Sequence, residues 1–164
     1  MEMLERLGRG VRIYVGAFVT AEVERRQLPP TPQSERQVGA ELREEGGVAA
    51  LARLALPTID AIRRAGRMPL IDAIYCAEEY ELYRATFEGA IVRLAISAPR
   101  PERVARLAAR NLRRIDELEL AERDAFEFER LGLESVMSAA EHALTNDGRL
   151  IDLEATLKLL PFGA

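Results

Sequence analysis

The 164-residue sequence contains one cysteine, one histidine, one lysine and no tryptophan. The single cysteine, Cys76, excludes an internal disulfide framework. No long apolar run and no apolar amino-terminal segment is visible, which predicts a soluble, cytoplasmic protein without a membrane partner. The only lysine is Lys158, so a mechanism that needs a lysine near the amino terminus is excluded.

The charge balance argues against nucleic acid as a partner. The formal net charge is -4 with 30% charged residues, so the chain has no net basic field to hold a polyanion. All basic residues except Lys158 are arginines. Arginine suits bidentate contacts with phosphate or carboxylate, but the same bias also arises from the base composition of a genome. The lone histidine, His142, has no sequence-near ligand set, so no metal site is predicted.

The length predicts a single domain, residues 1–164. Strand patterns alternate with helical periodicity, and this order is typical of an α/β fold with a parallel sheet. Four strands are predicted, at residues 11–16, 69–74, 90–96 and 141–145. Helices are predicted at residues 1–7, 17–27, 35–45, 48–65, 77–86, 102–111, 116–131, 134–140 and 149–160.

Two local signals refine the helix predictions. Ser34 and Gln37 have the spacing of a capping box, which predicts that a helix begins at Glu35. Pro57 predicts a kink or break within the helix at residues 48–65, because proline removes a helical hydrogen bond.

The stretch from Met68 to Tyr80, MPLIDAIYCAEEY, contains the first candidate for chemistry. It is predicted to be a short buried strand that ends in the carboxylate of Asp72 and leads into a charged helix. In open α/β sheets, ligands bind at the carboxyl ends of the strands. Asp72 therefore lies where a functional side chain is expected, although a helix cap or a partner for a nearby arginine is an alternative role.

Several segments, in the same order along the chain, resemble an archaeal family of P-loop kinase-like proteins related to dephospho-CoA kinase and, more distantly, to adenylate kinase and other nucleoside-monophosphate kinases. The resemblance implies a three-layer α/β fold with a mostly parallel sheet and a lid-like helical segment at about residues 100–131. The matching segments are Val23–Gly47, Leu70–Ile74, Ile96–Arg110, Glu122–Phe128 and Leu144–Gly148.

The parts with which that family binds phosphate are missing from this sequence. No Gly-x-x-x-x-Gly-Lys-Ser/Thr loop occurs, so the first strand and its P-loop are not represented. The family pattern Gly-Asp-x-x-Arg stands here as GAFVT, from Gly16 to Thr20, and has lost both charged groups. A second pattern, Asp-Gly-x-Arg-Ser, stands as DAIYC, where Tyr75 replaces an arginine that would face phosphate.

The resemblance implies vestigial roles for a few residues. Asp72 corresponds to the acid that orients Mg²⁺ or an acceptor hydroxyl. Arg110, Arg113 and Arg114 share a helix face if the helix continues that far, and they correspond to lid arginines that reach the transferring phosphoryl group. Arg123 has the same implied role.

Asn146 lies in the sequence Asn-Asp-Gly, which matches a family loop near the nucleotide base. The residues alone leave simpler alternatives open. The arginines are also explained as a solvated face that pairs with neighbouring acids, and Asn146 as part of an ordinary turn and helix cap.

Two functions are therefore expected. The favoured one is a degenerate, non-catalytic binding or interaction protein without a cofactor. The alternative is an ATP- and Mg²⁺-dependent kinase of a nucleotide or dephospho-CoA-like acceptor, whose amino terminus lies outside this sequence.

The family fold also predicts where the missing strand would lie. It would lie between the strand that ends at Asp72 and the strand at residues 90–96. We expect the two neighbouring strands either to close the gap or to pair with another chain, which includes the possibility of a homo-oligomer.

Overall fold

Four short parallel strands pair two by two. The computed structural model describes residues 1–88, 91–110 and 114–161. The first and second strands form one sheet, and the third and fourth form another. The strands are β1 (Val11–Tyr14), β2 (Pro69–Asp72), β3 (Leu94–Ser97) and β4 (His142–Thr145).

Nine α-helices connect and flank these strands in the described residues. A π-helical turn, Phe126–Arg130, follows the seventh helix directly. The helices are α1 (Glu2–Arg6), α2 (Gly16–Arg25), α3 (Pro32–Gly46), α4 (Ala50–Arg64), α5 (Ala77–Thr86), α6 (Arg100–Ala108), α7 (Glu117–Ala125), α8 (Leu133–Ser138) and α9 (Leu150–Lys158).

The α/β class is confirmed, but the four strands do not form one sheet. In the first sheet Ile13 lies opposite Ile71, and in the second Ile96 lies opposite Leu144. β2 and β3, all of whose residues are described, do not pair with each other. Of the two expected alternatives, direct pairing of these two strands across the gap is therefore wrong, and pairing with another chain stays a prediction.

Two hydrophobic clusters support the sheets. The first packs β1 against α2, α3, α4 and α5, and its members include Ile13, Val19, Val38, Ile59 and Tyr83. The second packs β2 against α1 and α9 through Leu4, Leu70 and Leu157. Partly buried Leu94 and Leu144, from β3 and β4, also pack against the second cluster. The second cluster therefore connects the two sheets.

The amphipathic face of α4 explains why Pro57 does not break this helix. The helix runs without interruption from Ala50 to Arg64, so a break at the proline was wrongly predicted. Leu51, Ala55 and Ile59 are buried on one face, and tertiary packing of such a face contributes most of the stability of a helix in a protein.

The start of α3 also differs from its prediction. The helix begins at Pro32 and is capped by Thr31, whose hydroxyl accepts a hydrogen bond from the Ser34 amide at 3.2 Å. The capping residue is therefore Thr31 rather than Ser34. The predicted start was wrong because a proline at the first helical position is also a favourable beginning.

Several elements are shorter than predicted, among them the third strand and the seventh helix. The third strand begins at Leu94 rather than at residue 90, and Ala90 itself lies outside the described residues. The helix predicted at residues 116–131 is α-helical only from Glu117 to Ala125. In both cases the observed strand or helix overlaps the predicted range.

Candidate functional site

A cleft of about 910 Å³ lies between β2 and β3. Backbone and side chains of both strands line it, including Ile71 from β2 and Leu94 from β3. The remaining wall is largely apolar and comes from several helices and the turns that follow them. Its residues include Leu4, Ile59, Phe87, Val136 and Met137. The cleft is therefore an apolar space bounded by the edges of two sheets.

The edge of β2 that faces the cleft carries backbone groups not used by β1. The amide of Val15 donates to the carbonyl of Asp72 at 2.8 Å, so the even-numbered residues of β2 direct their backbone groups toward β1. Backbone groups of successive strand residues point to opposite edges. Ile71 therefore presents its N–H and C=O to the cleft, whereas Pro69 presents only a carbonyl.

The facing edge of β3 has the same property. The amide of Asn146 donates to the carbonyl of Ser97 at 2.7 Å, so the odd-numbered residues of β3 pair with β4. By the same alternation, Leu94 and Ile96 direct their N–H and C=O groups into the cleft. Two strand edges with backbone donors and acceptors thus border the same apolar space.

Asp72, the first candidate from the sequence, lies in an ion pair at the end of β2. Its Oδ2 accepts from Nε of Arg12 at 2.7 Å, and Nη2 of Arg12 lies at the same distance of 2.7 Å. Nη1 of Arg12 donates to Glu2 at 2.9 Å. The side chains of Arg12 and Asp72 are 26% and 29% exposed. Asp72 therefore acts in this structure as the partner of a nearby arginine, which is the alternative role that the sequence left open.

Arg123 and Tyr75 come together beyond the end of β2. Nη2 of Arg123 donates to the hydroxyl of Tyr75 at 3.3 Å, and its Nε donates to Glu127 at 2.6 Å. Burial raises the pKa of Tyr75. Arg123 thus contacts the segment after Asp72, and its charge is paired with Glu127.

Of the other predicted arginines, the two that the structure describes, Arg110 and Arg114, do not line the cleft. Nε of Arg114 donates to the carbonyl of Arg110 at 2.7 Å, and neither residue lines the cleft. Arg113 lies outside the described residues. The helix predicted at residues 102–111 ends at Ala108, so the shared helix face does not extend to Arg114.

Asn146 follows β4 in a turn that is held by an arginine. Nη1 of Arg106 donates to the carbonyl of Asn146 at 2.8 Å, and Nη2 donates to that of Gly148 at 3.2 Å. The side-chain Oδ1 of Asn146 is buried and has no hydrogen-bond partner among the described residues. The sequence indicated the turn but not Arg106, which reaches it from another helix.

A buried carboxylate that was not predicted supports the segment after Asp72. Glu79 is 2% exposed, and its Oε2 accepts from the amide of Tyr75 at 2.8 Å. Burial raises the pKa of Glu79, against the effect of this hydrogen bond and of the charge of Arg43. Cys76 occupies the N-cap position of the same helix without a side-chain capping hydrogen bond, and the three-residue spacing from Cys76 to Glu79, which is that of a capping box, was the available signal.

Cys76 itself is buried, and this burial raises its pKa to about 11. A reactive cysteine needs a depressed pKa and access to solvent. The thiol of Cys76 is therefore a buried structural group and not a reactive one. The Tyr83 hydroxyl, one helical turn beyond Glu79, is also buried and has no hydrogen-bond partner within the described part of the chain.

The sequence is similar to several archaeal proteins. It is 37% identical over 156 residues to a UPF0200 protein from Aeropyrum pernix, an alignment that covers 92% of this chain and 77% of that protein. The chain belongs to the UPF0200 family. It is also 31% identical over 153 residues to a UPF0200 protein from Thermococcus kodakarensis, with 90% of this chain and 81% of that protein covered.

A third UPF0200 relative has a composite name. A UPF0200/UPF0201 protein from Archaeoglobus fulgidus is 32% identical over 155 residues, which cover 92% of this chain and 47% of that protein. A search of protein-family models finds no match. Membership of an archaeal family is therefore confirmed, and the relationship of this UPF0200 chain to P-loop kinases stays a prediction.

Two further properties of the UPF0200 structure bear on function. Among residues 1–88, 91–110 and 114–161, no group of three or more His, Cys, Asp or Glu side chains is arranged to hold a metal ion. None of the helices in these ranges is long and apolar enough to cross a bilayer.

Proposed function

We propose that this chain is a non-catalytic binding or interaction protein on a nucleotide-kinase-like scaffold. The ion pair between Asp72 and Arg12, with N–O distances of 2.7 Å, carries the proposal. In a kinase of the family that the sequence resembles, this carboxylate would orient Mg²⁺ or an acceptor hydroxyl. Here the carboxylate of Asp72 is bound by Arg12 from the neighbouring strand.

The surroundings of α2 support the same function. Gly16 begins this helix, and helix amino termini bind phosphate because their amides are unpaired. A Cβ at Gly16 would lie 2.5 Å from the ring of Tyr14, so the aromatic side chain packs directly against this position. A tyrosine thus lies beside the place where an acceptor phosphate would bind.

Two cations of the chain are already held in ion pairs: Arg123, to which the resemblance assigns phosphate, and Lys158, which the resemblance does not place at phosphate. Arg123 binds Glu127 at 2.6 Å. Lys158, the only lysine, lies on α9 and binds Glu154 at 2.7 Å. A phosphate clamp that used either side chain would first have to break an existing ion pair.

Calorimetric titration with ATP, with and without Mg²⁺, tests the proposal. We expect no Mg²⁺-dependent heat at millimolar nucleotide. Saturable, Mg²⁺-dependent binding with a Kd below about 1 mM would contradict it, since that is the usual range for enzyme substrates. The variant Asp72→Asn is the control, because only binding at the predicted pocket would be sensitive to this substitution.

A kinase is the second candidate, and the length of the relatives favours it. About a fifth of the proteins from Aeropyrum pernix and Thermococcus kodakarensis lies outside the alignment, since 77% and 81% of them are covered. We propose a phosphotransferase for a nucleotide or dephospho-CoA-like acceptor as the alternative. An in-frame strand and a glycine-rich lysine loop in the DNA upstream of Met1 would favour this alternative, and an in-frame stop codon would count against it.

A further inference from the structure

We infer that two copies of this chain associate through the outer edges of their β4 strands, which pair antiparallel about a twofold axis near Leu144. This edge lies on the side of the second sheet away from the cleft, because β3 pairs with the other edge of β4 and itself borders the cleft. The second sheets of the two copies would then form one continuous sheet.

The outer edge of β4 presents backbone groups that β3 does not use. The amides of His142 and Asn146 donate to carbonyls of the residues in and before β3, at 3.2 and 2.7 Å. Because backbone groups alternate along a strand, Ala143 and Thr145 direct their N–H and C=O groups to the outer edge. Among the described residues, none donates to or accepts from these backbone groups. They are therefore open to another strand.

The outer edge of the first sheet is different, because a side chain occupies it. The amide of Val11 donates to the carbonyl of Met68 at 2.8 Å, so the next residue of β1, Arg12, directs its N–H outward. Oε1 of Glu5 accepts a hydrogen bond from this amide at 2.9 Å. A charged side chain thus blocks strand pairing at one outer edge of the fold, whereas the described side chains leave the outer edge of β4 open.

The two outward-facing residues make the edge of β4 complementary to itself. When two β4 strands run antiparallel about Leu144, Ala143 of one copy lies opposite Thr145 of the other. Such a pair exchanges both of its N–H···O=C bonds, and the twofold axis repeats the pair. Leu144 of each copy lies opposite its equivalent, at the close spacing of a non-hydrogen-bonded pair. A twofold contact closes on itself, so it gives a dimer and not a filament.

Exposed apolar side chains lie close to this edge along the chain. Leu150 and Ile151, the first residues of α9, are 64% and 60% exposed and follow β4 after residues 146–149. In the antiparallel arrangement, residues after β4 of one copy approach residues before β4 of the other, which include Ala139 and Ala140. Burial of Leu150 and Ile151 there would add the apolar area that a short strand pair lacks.

The charges at the ends of the paired strands are compatible with this register. It brings Asp147 of one copy opposite Glu141 of the other, and two unpaired carboxylates at such positions would repel each other. Glu141, however, binds Nη2 of Arg93 at 2.8 Å. Asp147 therefore meets a guanidinium group as well as a carboxylate, which offsets the repulsion.

Sedimentation equilibrium of the 164-residue chain tests the inference. We expect the mass of a dimer at high concentration and a fall towards the mass of one chain on dilution. Amide exchange of Ala143 and Thr145 should be slower in the dimer than in the diluted protein, without such a change for Ile71 and Leu94 at the cleft. A monomer at all concentrations, or protection at the cleft instead of at β4, would overturn the inference.

A proline on β4 tests the backbone pairing. Ala143→Pro removes an N–H on the outer edge, a position at which a strand tolerates proline. Because the twofold axis repeats the loss, we expect the Kd of the dimer to rise about tenfold. Ala143→Val is the matched control, since it changes the same side chain, retains the N–H and should dimerise as the native chain does. Circular dichroism checks that both variants fold, and equal Kd values for the two would overturn the inference.

A charge at the start of α9 tests the apolar contact. Ile151→Glu should weaken the dimer about tenfold, because a carboxylate would lose its hydration at the interface. Leu159→Glu is the control, because Leu159 is 83% exposed and follows the other end of the same helix. It should leave the Kd unchanged. Equal weakening by the two substitutions would assign the contact to another surface and overturn the inference.

The outcomes for the dimer and for nucleotide binding are separate. A monomer, or a dimer that is insensitive to Ala143→Pro, refutes only the association through β4. Mg²⁺-dependent ATP binding refutes only the proposed non-catalytic function.

Discussion

At the scale of single residues, the contact between Arg12 and Asp72 carries the proposed function. They lie on adjacent strands, with Tyr14 directly opposite Asp72 in the register. The Cζ atom of Arg12 is also 5.2 Å from the centroid of the Tyr14 ring. Three side chains therefore occupy the carboxyl end of the first sheet, and each is held by another.

A double-mutant cycle with Arg12→Ala and Asp72→Asn measures this ion pair. We expect a coupling free energy of about 1 kcal/mol in urea unfolding, at the upper end for exposed pairs because both side chains are partly buried and two nitrogens contact the carboxylate. Additive effects of the two substitutions would contradict the pairing. Loss of Arg12 alone should leave the α-helical circular dichroism unchanged.

The sequence placed Asp72 correctly but not its partner, and the reason is physical. A short apolar run that ends in a carboxylate is a local pattern. The register that brings Arg12 beside it joins segments 60 residues apart and depends on packing. Arg123 and Tyr75, 48 residues apart, meet for the same reason. Local patterns thus located the candidate, and tertiary contacts decided what it binds.

At the scale of elements, an ion pair joins the residues that precede β3 and β4. Oε2 of Glu141 accepts from the Arg93 amide at 2.6 Å, and its Oε1 accepts from Nη2 of Arg93 at 2.8 Å. The Cζ atom of Arg93 also lies 4.0 Å from the centroid of the Tyr80 ring. The side-chain hydrogen bonds from Arg93 lower the pKa of Glu141 to about 2.

This pKa shift predicts how acid affects the second sheet. A carboxylate with a lowered pKa in the folded state stabilises the protein above its unfolded pKa, near 4.5, and this contribution is lost as the pH falls toward 2. Glu141→Gln should therefore lose less stability than the native protein between pH 5 and pH 2 (roughly the two pKa values). Urea unfolding across this range measures it.

Glu44→Gln is the matched control for this prediction, because Glu44 is exposed on α3. It should show the acid dependence of the native protein. An identical acid dependence for Glu141→Gln would contradict the role that we assign to the Arg93 contact.

Helices were predicted better than the arrangement of strands, and the elements themselves explain this. The apolar face of α4 and the charged start of α5 are properties of contiguous sequence. The separation of β2 from β3 is not such a property, because it depends on contacts between segments that lie far apart in the chain. The four strands were therefore located from the sequence, whereas their division into two sheets came from the structure.

At the scale of the whole molecule, the second hydrophobic cluster holds the two sheets beside each other. Leu157 of α9 is 3% exposed and packs with Leu4 and Leu70 from the first half of the chain. Leu94 and Leu144 pack against the same cluster from the second sheet. Its loss should loosen the position of one sheet relative to the other.

Leu157→Ala tests this role. We expect a loss of about 2–4 kcal/mol in the free energy of unfolding, as for other buried leucines, together with faster amide exchange in β3 and β4. Leu159→Ala is the control, because Leu159 is 83% exposed, and its effect should stay within about 0.5 kcal/mol. Similar unfolding free energies for the two variants would contradict the role of the cluster.

The pairing of distant strands also determines how this chain reaches its native state. Ile13 must find Ile71, and Ile96 must find Leu144, before either sheet exists. Non-local parallel pairing folds slowly, and unpaired strands promote aggregation while it proceeds. Because strands that have not yet found their partners can associate with other chains, the yield of refolded protein should fall as its concentration rises.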